Sequence, residues 1–74
     1  MAVDSAYPQI MGTAVEQLGR TSWRAIVSMS GYQWVGKGLT PGVAVSRLYE
    51  TIGRRRRDAE GAEKEALEVL YGQA

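Results

Sequence analysis

The side chains in this sequence best suited to chemistry are its arginines. Arg54-Arg55-Arg56-Arg57 form an unbroken run, preceded along the chain by Arg24, Lys37 and Arg47. Guanidinium groups hold phosphate oxygens through paired N–H donors, and lysine meets them as a point charge. The set Arg24, Lys37, Arg47, Arg54, Arg55, Arg56 and Arg57 is therefore a candidate nucleic-acid-binding surface. A plainer reading competes with it. Arg54 and Asp58, Arg56 and Glu60, and Glu60 and Lys64 stand four residues apart, as ion pairs do on an exposed helix. From Arg47 to Arg57 there are five basic residues and one acidic, and from Asp58 to Glu68 five acidic and one basic. A segment polarised in this way could also pair head to tail with a second copy of the chain.

Other chemistry is largely excluded. The chain has no histidine and no cysteine, which removes the usual general bases and thiol nucleophiles, the common zinc ligands and any disulfide framework. The serines have no activating partner in a recognisable motif. The carboxylates Asp58, Glu60, Glu63, Glu65 and Glu68 alternate with alanine and lysine, the pattern of a solvated helix face. No enzyme activity, metal, cofactor or small-molecule substrate is expected. Gly36-Lys37-Gly38 resembles part of a phosphate-cradling loop ahead of a helix N-terminus. It lacks the Lys-Ser/Thr ending of a P-loop, and the glycines are better read as a tight strand-to-helix connection.

The elements that must position these groups follow from periodicity. With 74 residues, 45% hydrophobic and 23% charged, the chain makes one small globular domain. Residues 1–8 read as an N-terminal arm and 9–74 as the domain, with a sheet over 9–39 and a helical region over 40–72. Trp23, Ala25, Val27 and Met29 alternate with Arg24, Ile26 and Ser28, which predicts a strand. Ser30-Gly31 is a two-residue turn signal, and Tyr32 to Val35 returns as the partner strand. Residues 9–18 fit either a helix, through Ile10, Ala14 and Leu18, or a third strand ending in the turn Gly19-Arg20-Thr21-Ser22; the strand is preferred because a lone hairpin is only marginally stable. Thr40-Pro41 supplies an N-cap and a first-turn proline, and Ala44, Leu48 and Ile52 follow at spacing four. Beyond Gly53 the sequence admits one long helix, or two with a break near Gly53 or Gly61 and Asp58 as the second N-cap. The expected fold class is α+β: a small antiparallel β-sheet of two to three strands packed against a C-terminal helix or helix pair.

A helix covers only one face of such a sheet. Since Tyr32 and Trp34 alternate with Val35, one set must lie on the open face. Aromatic rings beside arginines there would make a stacking platform for nucleic acid, or a partner-binding surface centred on Tyr32 and Trp34; the equal alternative is that the tryptophans are simply the core of a small domain.

The stretch from Trp23 to Ile52, with its Gly36-Lys37-Gly38-Leu39-Thr40-Pro41 exit and Ala44 and Leu48 in the helix, resembles several small sheet-then-helix families. It is similar in layout to the three-stranded DNA-binding domains of phage-type integrases and plant ethylene-response factors, where the sheet enters the major groove. It also resembles the later half of a double-stranded-RNA-binding domain, with Thr40, Pro41 and Gly42 where that family has lysines. HicB-type antitoxins, which cap a toxin partner, share a comparable run of strand, glycine, threonine and alanine into a helix. These resemblances are of layout and carry over no functional residue.

The sequence thus predicts a small non-enzymatic binding domain that contacts nucleic acid through a basic helix and an open sheet face. The alternative is a small regulatory protein, antitoxin-like or a phage-encoded inhibitor, that binds a protein partner or a second copy. No run approaches the ~20 apolar residues of a membrane span, so no membrane partner is expected. Met1-Ala2-Val3-Asp4-Ser5 does not resemble a secretory signal, so a cytoplasmic location is expected.

Overall fold

The computed structural model describes residues 12–72. Three strands, β1 (Ala14–Gly19), β2 (Ser22–Met29) and β3 (Tyr32–Gly38), form an antiparallel sheet in the order β1-β2-β3. Two helices follow, α1 (Pro41–Asp58) and α2 (Gly61–Gly72). The third strand is thereby present, and the α+β class holds. The N-terminal arm over residues 1–8 and the first residues of the strand expected over 9–18 lie outside the described residues.

The β2–β3 turn fixes the register of the hairpin. Ser30 and Gly31 both take positive φ, 56° and 84°, as the tight hairpin turn that matches strand twist requires. Met29 then pairs with Tyr32, Val27 with Trp34, and Ala25 with Gly36. Directly opposed residues share a face, so Tyr32 and Trp34 lie on the same side as Trp23, Val27 and Met29. That side carries α1. The aromatic platform on the open face is therefore not formed, and Trp34 belongs to the core. The open face instead presents the row Ala14, Ile26 and Val35, the row Glu16, Arg24 and Lys37, and the pair Ser28 and Gln33.

Helix α1 begins where its sequence signals place it. The Thr40 hydroxyl accepts from the Val43 N–H at 3.2 Å, and Pro41 occupies the first turn. Ala44, Val45, Leu48 and Ile52 form the buried stripe, packed on Ala25, Val27 and Trp34 of the sheet. The helix lies directly on β3. A Cβ at Gly36 would stand 2.5 Å from the Ala44 carbonyl oxygen and 2.7 Å from Leu48 Cα, and one at Gly38 would stand 2.8 Å from Val43 Cβ. The two glycines are thus a requirement of close helix–strand approach.

The helical region is two helices, with the break at Ala59 and Glu60. Ala59 is extended (φ −77°, ψ 155°), its N–H donates to the Arg55 carbonyl at 2.9 Å, and Gly61 takes φ 65°. Asp58 is the last residue of α1 and so is not the N-cap of the second helix. Across this short connection α2 folds back and adds Ala66, Leu67 and Leu70 to the same core as Leu48 and Ile52. Among the described residues no helix is long and apolar enough to cross a membrane.

Candidate nucleic-acid interface

The fold-back of α2 divides the arginine run. Arg55 Nη2 donates to Glu63 at 3.1 Å and Arg56 Nη1 to Glu68 at 3.0 Å. The Arg56 guanidinium carbon also lies 4.1 Å from the centroid of the Tyr71 ring, which stacks on Tyr49 at 5.1 Å and 9°. Gly53 makes room for this arrangement, since a Cβ there would stand 3.1 Å from Tyr71 Cε1. Arg55 and Arg56 therefore fasten α2 to α1. The four-residue pairs expected along a single helix are replaced, among the described residues, by pairs between two helices. The reason is the chain reversal at Ala59–Glu60, which sets residues of α2 beside the last turns of α1.

Arg54 and Arg57 project elsewhere. Together with Arg47 and Glu50 they fall at intervals of three and four residues, one stripe of the α1 surface, and all four are exposed. Arg47 to Arg57 covers about 15 Å of helix axis at the standard rise. The stripe borders the free edge of β3. An open groove of about 570 Å³ there is lined by Val35, Lys37, Arg47, Glu50, Thr51 and Arg54. A second groove shares Lys37 and Arg47 and runs on to Leu39, Thr21 and Ser22. A third, of about 330 Å³, shares Glu50 and Arg54 and reaches Arg57 and Tyr71. Lys37, Arg47, Arg54 and Arg57 thus line one continuous surface, and none of them forms an ion pair among the described residues.

The remaining candidates are placed differently. Arg24 is on the open sheet face, paired with Glu16 across the β1–β2 ladder. Its other cross-strand neighbour is Lys37. Like charges directly opposite repel, and Glu16 offsets that repulsion. Trp34 is 5% exposed beneath α1 and presents no surface to a partner; Tyr32, stacked on it at 6.0 Å, stays 38% exposed. Glu50, Tyr49 and Tyr71, which were not among the candidate site residues, share the surface with Arg54 and Arg57; Glu63 and Glu68, expected on a solvated helix face, instead hold Arg55 and Arg56. Glu50 was legible as the one acid among the five basic residues of that segment; the rest depended on where α2 folds back.

The Tyr49 hydroxyl is held above its ordinary range, first by the Tyr71 hydroxyl beside it, then by burial and by Tyr71's own charge, with Arg56 acting the other way. No family model, no curated protein and no solved structure matches the chain.

Proposed function

We propose that this chain is a small non-enzymatic domain that binds nucleic acid through the outer face of α1 and the adjoining edge of β3, with Lys37, Arg47, Arg54 and Arg57 as its phosphate contacts. One observation carries the reading: Arg55 and Arg56 form ion pairs with α2, whereas Lys37, Arg47, Arg54 and Arg57 line one surface and form none among the described residues. The grooves along that surface are open, suited to a polymer lying across them. Arg24, already held by Glu16, belongs to the periphery of the site. A nucleic-acid-binding role of this kind fits a cytoplasmic location.

The test is a titration of the protein into generic duplex DNA at low and physiological salt. Four phosphate contacts give a slope of about −3.6 in log affinity against log salt. Absence of any complex at low salt would refute the proposal. A second reading, a regulatory protein that docks another protein, draws on the half-exposed ring of Tyr32. A complex indifferent to salt and lost on Tyr32→Ala would favour it.

A further inference from the structure

The stripe on α1 contains one residue that phosphate binding does not explain. Glu50 lies between Arg47 and Arg54, is exposed, and lines the same groove as both. Arg54 stands four residues beyond it, the favoured spacing for an ion pair. Yet among the described residues Glu50 pairs with neither arginine. If the helix lay flat on a phosphate backbone, this carboxylate would oppose binding. It is tolerated where it faces something other than phosphate.

Resting on the nucleic-acid reading above, we infer that α1 lies in the major groove of duplex DNA and that Glu50 reads a base edge on the groove floor. About 10 Å of helix axis separates Arg47 from Arg54, close to the groove's width of about 12 Å. Cations at the two ends of the stripe, Arg47 (with Lys37 beside it on β3) and Arg54 with Arg57, then reach opposite strands. Glu50 between them points at the bases. A carboxylate only accepts hydrogen bonds, and in the major groove it takes one from the cytosine amino group. The ligand is a DNA duplex because the major groove of an RNA duplex is too deep and narrow for side chains to read. The open sheet face agrees, since its described residues offer aliphatic, polar and charged side chains where a single-strand binder places aromatic rings.

The experiment is selection from a pool of duplex DNAs with a randomised centre, at low salt, with the wild-type chain and Glu50→Gln. Position 50 is exposed, so thermal melting of the variant should match the wild type. The wild-type chain should enrich a cytosine at one fixed position, with about tenfold discrimination against other bases. Glu50→Gln should lose that preference and shift it toward adenine, which glutamine binds through paired hydrogen bonds. Retention of duplexes with no base preference, or an identical preference in both proteins, would overturn this inference and leave the phosphate-binding proposal intact. Retention of no duplex by either protein would overturn both.

Discussion

Within four consecutive residues α1 uses one side chain for two purposes. Arg55 and Arg56 turn toward α2, where Glu63, Glu68 and the Tyr71 ring receive them. Arg54 and Arg57 turn away, to the side that already carries Arg47 and, across the β3 edge, Lys37. The inner face of the helix is filled by Leu48 and Ile52 against the sheet and by Leu67 and Leu70 from α2. The outer face has no partner within the described residues. The difference lies in the chain reversal at Ala59–Glu60, because α2 can neutralise only the arginines it reaches. Charge left over after folding is available for binding, so inner-face substitutions should change stability and outer-face substitutions should change affinity.

The largest expected effect on the inner face comes from Gly36→Ala. The added methyl meets helix backbone at Ala44 and Leu48, which cannot give way unless α1 lifts from β3. A domain of this size has only about 5 kcal/mol to lose, so circular dichroism should show a chain that does not fold cooperatively. A folded variant with near-normal melting would show that the contact is looser than described.

Leu70→Ala comes next. Leu70 is 0% exposed, and truncating a buried leucine costs about 2–5 kcal/mol, read from urea unfolding. If the variant still folds, the loss should fall on α2, leaving Arg55 and Arg56 freer and the salt dependence of DNA binding steeper. Arg56→Ala is milder. It removes a partly exposed ion pair and a cation–π contact, together worth about 1 kcal/mol, and should leave binding nearly unchanged.

The smallest effect concerns pH. The raised Tyr49 hydroxyl favours the folded state while it keeps its proton. That contribution is complete below the unfolded tyrosine value of about 10 and is lost as pH climbs through the folded value. Tyr71→Phe removes the first cause of the shift. Its ultraviolet titration should show Tyr49 ionising at lower pH than in the wild-type chain, with a shallower loss of stability in alkali.

Much of the fold could be read from local signals. The Thr40-Pro41 start, the Ser30-Gly31 turn and the alternation in β2 are each local and strong, and each appears as expected. The side occupied by Trp34 was also implicit. A two-residue turn after Met29 sets Trp34 opposite Val27, so once Val27 faces the helix the tryptophan must as well. The aromatic platform does not form because the two-residue turn carries the alternation of β2 into β3. The division of the arginines could not be read in this way. The spacing of Arg55 from Glu63 and of Arg56 from Glu68 becomes contact only after the helix reverses, and Gly61, which helps it to do so, competed with Gly53 as the break. The candidate surface is thus a subset of the residues first identified, chosen by tertiary packing.

The division itself is tested most directly by comparing two double variants, Arg54→Ala/Arg57→Ala and Arg55→Ala/Arg56→Ala, for duplex DNA affinity as a function of salt, with thermal melting alongside. The first should keep its melting temperature and flatten the slope of log affinity against log salt by about 1.8. The second should melt earlier and keep the wild-type slope. Equal flattening in both, or none in the first, would contradict the claim that, within the arginine run, folding leaves Arg54 and Arg57 to bind.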